Sequence, residues 1–420
     1  MPIIRAGQLI DGTGTAPRRD MAILIDGERI VRVCPWDIAD VPPNAEVIDA
    51  LDATVLPGLI DAHTHIMAPG RDISAFMVGQ VHDSFSAVAL QAFANARKML
   101  SYGYTTLRDV HALGYVDIAV RDAINAGILE GPRLRVTGQG LCITGGHMDR
   151  AGLAPHVEVR GRTGVADSPD AFRAAAREQI KRGVDLIKIN VCVGSTYDLT
   201  EPWQQEMTFE EMQAVCEEAH RHHRRVAAHT AGGPAIHEAI LAGVDTIEHG
   251  HWLSDETIAL MVERGTWYIP TLIVNSMNFV VGKERLGATE KSWRWLELVN
   301  EAKWETLTRA KRAGVKIGAG SDAGFLVEHG ENALELVELV KGGLSSLEAI
   351  TAATGINAAA LDMGDEVGII QPNYYADIVI SDADPLKSVS ILTRPQNFRA
   401  ILKGGVFVGG TMHTRRLVTM

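Results

Sequence analysis

Two histidines one residue apart, His63 and His65, are the clearest sign of chemistry in this chain. The pair ends a mostly apolar segment, residues 53–60. Side chains at positions i and i+2 of a β-strand point to the same face, so both imidazoles can face one point where the strand ends. Two converging neutral imidazoles make half of a divalent metal site. Two polar residues on a half-exposed strand would give the same pattern, so the remaining ligands must come from elsewhere in the chain.

Four more metal-capable residues stand in or at the ends of predicted strands: Lys188, His229, His249 and Asp322. Taken singly, His229 fits a buried core histidine, His249 a turn residue, and Asp322 a helix cap or turn. Lys188 is harder to explain by packing, because a lysine in an apolar strand must find a partner or lose its charge. A carbamate formed from its amine and CO₂ would be an anionic ligand able to hold two cations around a shared hydroxide.

Strand-like and helix-like segments alternate from about Val55 to Ala360, which is typical of an α/β protein. The expected strands end near residues 63, 108, 137, 189, 229, 249, 270 and 319. Eight strands separated by helices predict a closed (β/α)8 TIM barrel, in which active sites lie at the C-terminal ends of the strands. The metal-capable residues fall at that end.

Both ends of the chain have the pattern of short strands and turns, without a long amphipathic helix. We therefore expect the two ends to meet in a small discontinuous β-sandwich. Residues 1–55 would form its first part, residues 56–363 the metal-dependent barrel, and residues 364–420 its second part.

The composition argues against several classes of protein. The net charge is -12 and no run of Lys or Arg forms a basic stripe, so nucleic acid is not an expected partner. The four cysteines are scattered, which argues against a disulfide framework. No membrane span is expected, because no apolar run reaches about 18 residues. The N-terminus lacks a secretory pattern, which predicts a cytoplasmic enzyme, with a removed signal peptide as the open alternative.

These features together resemble the amidohydrolase superfamily of metal-dependent hydrolases, over nearly the whole chain. The matching segments are Pro57–His65, Lys188, His229, Ile247–Gly250, Gly320–Asp322 and Tyr375–Ile380. The resemblance implies two divalent metal ions, usually zinc, and a homo-oligomer. It assigns the metal ligands to His63, His65, Lys188 as a carbamate, His229, His249 and Asp322. It also makes Asp322 the residue that moves protons.

A finer resemblance lies in the segment Thr144–His147, which is similar to a Gly-Gly-His segment of the imidazolonepropionase-like peptidase branch. That branch contains Xaa-Pro dipeptidases, lysine or arginine carboxypeptidases, and N-acyl amino acid and mycotoxin amidases. The resemblance implies that His147 stabilises a developing oxyanion, whereas a surface-loop histidine beside glycines is the plain alternative.

Two departures from that branch concern the substrate's carboxylate. A tyrosine often follows the strand-five histidine by two residues, but the position after His229 and Thr230 is alanine. The next helix also lacks the usual arginine. Recognition of a free α-carboxylate would then fall to other residues, such as Arg150, Tyr197 or His237.

The leading hypothesis is hydrolysis of an amide bond by a metal-bridging hydroxide. The substrate would be a dipeptide or an N-acyl amino acid, including mycotoxin-type amides. The alternative is a hydrolase or deaminase of a cyclic amide, carbamate or other xenobiotic small molecule. A non-catalytic metal-binding scaffold would be expected to lack a ligand, and none is missing. An apolar pocket for the substrate is suggested by Trp203, Tyr197, Met277 and Phe279, and core or surface packing explains these residues equally well.

Overall fold

The computed structural model describes residues 2–42, 44–71, 73–149, 159, 161–193 and 203–412. Its strands, in chain order, are β1 (Ile3–Leu9), β2 (Arg18–Asp26), β3 (Arg29–Pro35), β4 (Val47–Pro57), β5 (Leu59–Thr64), β6 (Tyr104–Asp109), β7 (Arg133–Val136), β8 (Leu141–Cys142), β9 (Gly164–Val165), β10 (Leu186–Asn190), β11 (Arg225–Gly232), β12 (Thr246–Trp252), β13 (Trp267–Ile269), β14 (Lys316–Ile317), β15 (Ile378–Ser381), β16 (Phe398–Lys403) and β17 (Val406–Gly409).

The α-helices are α1 (Ile73–His82), α2 (Phe85–Ser101), α3 (Val116–Asn125), α4 (Pro169–Arg182), α5 (Phe209–Arg221), α6 (Pro234–Ala242), α7 (Asp255–Arg264), α8 (Leu272–Val281), α9 (Lys283–Leu286), α10 (Glu290–Ala313), α11 (Leu334–Lys341), α12 (Ser346–Thr351) and α13 (Asn357–Ala360). A π-helical turn, Ala352–Ile356, joins the last two. Short 3-10 helices lie at Trp36–Ile38, Leu113–Tyr115, Val389–Thr393 and Pro395–Asn397.

Strands from both chain ends join in one sheet, as expected, with the order β17-β16-β15-β4-β1-β2-β3. At its centre, β4 pairs in parallel with β1 and antiparallel with β15. Isoleucine, valine, leucine and alanine side chains from both ends form one buried cluster against this sheet. The sheet is therefore discontinuous in sequence but shares one core.

The remaining strands form parallel sheets, with helices between most successive strands, as expected for an α/β protein. One has the order β5-β6-β7 and the other β14-β13-β12-β11-β10-β8-β9. The third expected strand is divided where the glycines Gly138 and Gly140 occur. Its first half, β7, pairs with β6, and its second half, β8, pairs with β10.

Backbone hydrogen bonds also join β5 to the segment that follows β14. Ala62 N donates to Ala319 O at 3.0 Å, and Asp322 N donates to His63 O at 2.8 Å. A Cβ atom on Gly320 would lie 2.7 Å from the Cβ of His63, so only glycine permits this close approach. The first and last strands are thereby brought side by side.

Helix capping follows the sequence closely. The side chains of Ser84, Ser168, Thr208 and Ser254 accept backbone hydrogen bonds at the starts of α2, α4, α5 and α7. Such caps stabilise a helix by about 1 kcal/mol each, because they satisfy N–H groups that have no partner within the helix.

All four cysteines are buried and free, in agreement with the expected lack of a disulfide framework. Within the part of the chain that the structure describes, no helix has the length and apolar character needed to cross a membrane.

A buried ion pair links the terminal sheet to β7. Arg133 donates to both carboxylate oxygens of Asp377, at 2.9 and 3.2 Å, and the same carboxylate accepts from Gly404 N at 2.7 Å. The Asp377 side chain is only 2% exposed, so its loss would leave Arg133 and an amide without a partner.

We expect Asp377→Ala to lower the free energy of unfolding by about 3 kcal/mol, measured by urea denaturation. The control is Asp382→Ala, which removes one of the two acidic partners of Arg399 at an exposed position and should cost less than about 1 kcal/mol. Equal losses in the two variants would contradict this role for Asp377.

Candidate metal centre

His63 and His65 both lie beside the carboxylate of Asp322. His63 lies near the end of β5, and its Nε2 atom is 3.6 Å from Oδ1 of Asp322. The Nε2 atom of His65 is 3.2 Å from the same oxygen. All three residues are buried. The first strand and the segment after β14 therefore deliver three potential ligands to one point.

His229 and His249 extend this group, although each lies three residues before the end of its strand, β11 or β12, and not at the end as expected. The ring centroids of His249 and His63 are 4.8 Å apart, and those of His249 and His229 are 4.6 Å apart. Potential ligand atoms of His63, His249 and Asp322 all lie within 4.8 Å of one another. This spacing allows one cation to be bound by all three.

Lys188 lies in the middle of β10, next to β11 and two residues before Asn190, which is paired with His229. The residue is 4% exposed, and its Nζ atom has no hydrogen-bond partner within the described residues. Burial lowers the pKa of Lys188 to about 8. A buried amine without a partner is costly, so the position fits a lysine whose amine is modified or bound to another group.

Two of the predicted histidine ligands also have a buried ring nitrogen without a partner within the described residues: Nδ1 of His65 and Nε2 of His229. Buried polar atoms are nearly always satisfied, so orphaned nitrogens on these ligands, together with that of Lys188, indicate a missing binding partner. Imidazole nitrogens and a carboxylate are the ligand types that Zn²⁺ and similar divalent ions take in proteins. The residues present therefore fit a divalent metal ion.

The protonation states also suit metal binding. Burial lowers the pKa values of His63, His229 and His249 well below that of free histidine, so these rings are neutral and can act as ligands. Burial alone would raise the pKa of Asp322, but His63, His65 and Lys188 bring it below the usual aspartate value. The site thus contains neutral imidazoles beside an ionised carboxylate.

Glu248 fixes the orientation of His63. Its Oε2 atom is 2.7 Å from Nδ1 of His63, and because a carboxylate only accepts, Nδ1 carries the proton. Nε2 of His63 is then free to bind a cation. The other oxygen, Oε1, accepts from Arg108 at 2.6 Å, and Arg108 also donates to Thr246 at 3.0 Å. A carboxylate behind a ligating imidazole is a common feature of metal sites.

His249 has a neutral partner instead. Its Nδ1 atom is 2.6 Å from the hydroxyl of Thr271. Thr271 precedes α8, whose first two amides, Leu272 N and Ile273 N, donate to the buried carboxyl group of Glu335 at 3.0 and 2.8 Å. The start of α8 therefore supports His249 as Glu248 supports His63.

Asp61 joins the two segments that carry His63 and Asp322. Its Oδ1 atom accepts from the backbone amides of His63 and Ser321, both at 3.0 Å. Its Oδ2 atom accepts from Asn332 Nδ2 at 2.7 Å and from the hydroxyl of Ser321. Burial raises the pKa of Asp61 to about 6.

Two of the site residues have left-handed backbone conformations. The φ angles of His249 and Asp322 are 68° and 57°. Such angles cost residues other than glycine of the order of 1–3 kcal/mol each, and they occur mainly where function requires them. Here they turn both side chains away from the strand direction and towards the centre.

Comparison with known proteins identifies the protein family. The model of the Amidohydrolase family matches residues 54–408. The chain belongs to the amidohydrolase family. The match covers all the predicted ligands and most of the described fold.

Two relatives are similar over nearly their whole length. Ochratoxinase from Aspergillus niger is 31% identical over 97% of this chain and 86% of its own. A crystal structure of a Xaa-Pro dipeptidase with bound methionine in the active site is 33% identical, with a TM-score of 0.87 over 97% of this chain and 99% of that one.

A prolidase complexed with N-methylphosphonate-L-proline is 30% identical, with a TM-score of 0.86 over 97% of this chain and 98% of that one. These relatives lie in the branch that the Gly-Gly-His segment had indicated for this amidohydrolase.

His147 lies beside the centre of this amidohydrolase. Its ring stacks on that of His229, with centroids 4.0 Å apart and planes 17° apart. Its backbone N donates to Glu206 at 2.9 Å, which fixes the segment after β8. The histidine of the Gly-Gly-His segment is therefore close to the potential ligands, and its oxyanion role stays a prediction.

His111 was not identified from the sequence. It is buried two residues beyond the end of β6, and its Nδ1 atom accepts a hydrogen bond from Gly140 N at 3.0 Å. It lies three residues beyond the expected strand end at Arg108, and its orientation depends on an amide that follows β7. The only sequence signal is that it follows Asp109 and Val110 at a strand exit.

The other residues suggested for substrate contact are not shown beside the metal centre. Arg150 and Tyr197 lie outside the described residues. His237 faces α7, with Nδ1 3.4 Å from the hydroxyl of Thr257. Met277 is buried in the core and Phe279 packs on Trp293.

Trp203 packs on two further tryptophans where β11 and β12 end. Its ring centroid is 5.5 Å from that of Trp252 and 4.1 Å from that of Trp295. A Cβ atom on Gly233, four residues beyond His229, would lie 3.2 Å from the Cβ of Trp203. An aromatic cluster therefore lies beside the segment that follows His229.

We expect Glu248→Gln to weaken metal binding about 10- to 100-fold. The neutral amide cannot neutralise the charge of Arg108, and it cannot orient the His63 ring as the carboxylate does. Zinc affinity would be measured by competition with a chromogenic chelator. Glu256→Gln, at an exposed position in α7, is the matched control and should bind zinc as the wild type does. An unchanged zinc affinity in the Glu248 variant would contradict the role assigned to this carboxylate.

Proposed function

We propose that this amidohydrolase cleaves the amide bond of a dipeptide or an N-acyl amino acid, including mycotoxin-type amides. The observation that carries the proposal is the cluster of His63, His249 and Asp322, whose potential ligand atoms lie within 4.8 Å of one another beside the buried amine of Lys188. The similarity to ochratoxinase and to Xaa-Pro dipeptidase supports the same chemistry.

We further propose a centre for two divalent ions, zinc by analogy with the family. Its ligands would be His63, His65, His229, His249, Asp322 and Lys188 as a carbamate. As a carbamate, Lys188 would have an anionic carboxylate group that binds the metal ions. This would explain why its nitrogen is buried without a hydrogen-bond partner within the described residues. When bound, the metal ions supply a water molecule acidic enough to act as a nucleophile at neutral pH.

The residues of the chain then have separate tasks. Asp322, held between His63 and His65, accepts a proton from the attacking water and passes it to the leaving amine. His147, beside His229, donates a hydrogen bond to the oxygen that becomes negative as the carbonyl is attacked. Glu248 and Asp61 keep the ligand-bearing segments in place.

The proposed site lies at the mouth of a closed (β/α)8 barrel. The hydrogen bonds between β5 and the segment after β14, and between Asp185 N and Val136 O, support closure at both joints between the parallel sheets. We also propose the division into residues 1–55, 56–363 and 364–420, with the terminal sheet as a separate β-sandwich.

The second candidate is a hydrolase of a cyclic amide, carbamate or xenobiotic. It is favoured by the aromatic cluster at the exit of β11, where residues 230–238 include no tyrosine or arginine to meet a substrate carboxylate. A panel of Xaa-Pro dipeptides, N-acyl amino acids and uncharged amides, assayed with metal-replete enzyme, separates the two. Exclusive turnover of uncharged amides would reject the peptidase-type function.

Lys188→Ala should reduce the bound metal from two ions per chain to one or fewer, because the bridging ligand is lost. Metal content would be measured by plasma mass spectrometry after gel filtration. The control is Lys387→Ala, at an exposed lysine of the terminal region, which should keep both ions. Retention of two ions with unchanged activity in the Lys188 variant would reject the carbamate.

Asp322→Asn should lower kcat about 10²- to 10⁴-fold, because the amide cannot accept the proton of the attacking water. The metal content should remain largely intact, since four histidines and Lys188 persist. Turnover at the wild-type rate in this variant would remove Asp322 as the proton carrier.

A further inference from the structure

His111 presents an unused hydrogen-bond donor next to the centre. The residue is 3% exposed, and its Nδ1 atom accepts from Gly140 N. In the neutral ring the proton must then be on Nε2. Within the described parts of the chain, the hydrogen bond from Gly140 N is the one that the His111 ring makes, and it leaves Nε2–H without a partner. A free donor on a side chain that is 3% exposed can serve a ligand atom placed beside it.

Gly140 lies between His111 and Lys188. A Cβ atom on this glycine would be 3.3 Å from Nδ1 of His111 and 3.5 Å from Cγ of Lys188. Burial lowers the pKa of His111, and the charges of His65, Arg162 and Lys188 lower it further. The ring is therefore neutral and lies on the same side of the site as the proposed metal ligands.

Arg162 is held close to this histidine by its two neighbours in sequence. The carbonyl of Gly161 accepts from Gly114 N at 2.7 Å, three residues after His111. The hydroxyl of Thr163 donates to the carbonyl of Gly140 at 2.6 Å, and Gly140 is the residue that donates to His111. Both anchors of Arg162 are thus on the loops that position His111.

The guanidinium of Arg162 has no acidic partner among the residues that the structure describes. Arg162 is half-buried, and within those residues it makes no hydrogen bond or ion pair. A partly buried guanidinium without a counter-charge is unfavourable, and a carboxylate matches its donor geometry well. Arg162 and the neutral His111 together carry one positive charge, which suits a monoanion better than a dianion.

We propose that Arg162 and His111 form the subsite for the free carboxylate of the substrate's amino-acid half. The inference rests on the proposed amide hydrolysis and specifies its substrate class as amides of amino acids with a free α-carboxylate. The subsite is formed by the segments that follow β6 and precede β9, and not by residues 230–238 after His229, which include no tyrosine or arginine. It therefore accounts for carboxylate recognition without those residues.

The test uses metal-replete enzyme and two substrates that differ only in the carboxylate: N-acetyl-L-methionine and N-acetyl-3-(methylthio)propylamine. We expect the wild type to prefer the acid. Arg162→Gln should raise KM for the acid about 10- to 100-fold, with kcat changed less than about 3-fold, and leave the neutral amide unaffected. Arg162→Lys should give an intermediate KM.

Two variants serve as comparisons. His111→Asn keeps an acceptor for Gly140 N but removes the Nε2–H donor, and it should raise KM for the acid about 3- to 10-fold. Arg312→Gln, at an exposed arginine in the last turn of α10, should behave as the wild type. Equal loss of activity towards both substrates in the Arg162 variant would overturn the subsite, as would a wild type without preference for the acid.

Calorimetric binding to the metal-loaded protein separates failure of the subsite from failure of the proposed function. L-methionine and 3-(methylthio)propylamine form the ligand pair. If neither acetylated substrate is cleaved but Arg162→Gln weakens L-methionine binding at least 10-fold, the subsite stands and only the proposed reaction is rejected. Unchanged binding in the variant, or no binding to the wild type, would overturn the subsite.

Discussion

The carboxyl group of Asp61 is the interaction on which the candidate site depends most. It accepts hydrogen bonds from the backbone amides of both His63 and Ser321. A single buried side chain therefore joins the segment that contains His63 and His65 to the segment that contains Asp322. The glycine at 320 allows the two backbones to approach, and the carboxyl group sets their register. Residues about 260 positions apart in sequence therefore meet within hydrogen-bonding distance.

The buried imidazoles of His63 and His249 differ in the group that is hydrogen-bonded to their Nδ1 atoms. His63 has the anionic Glu248, itself paired with Arg108, whereas His249 has the hydroxyl of Thr271. A carboxylate makes an imidazole more basic than a hydroxyl does. The two rings therefore differ in donor strength although they are both neutral and buried, and any cations they bind would experience unequal fields.

Much of this arrangement was predictable because the rules involved are local. Strand alternation located His63, His229 and His249 at strand ends, and the structure brings them together. His111 was missed because its role depends on an amide from Gly140, on another strand. The division of the third strand was missed for a similar reason: the glycines that divide it look in sequence like ordinary turn residues. Pairings across distant segments leave no periodic trace in the sequence.

The terminal sheet has a consequence for biosynthesis. Its central strand, β4, has β1 on one side and β15 on the other, and β15 is made only after the entire α/β region. At typical translation speeds, the edge of β4 that pairs with β15 therefore stays unpaired for on the order of tens of seconds. An unpaired strand edge with apolar residues is a template for aggregation, so the nascent chain must depend on shielding of this edge until synthesis ends.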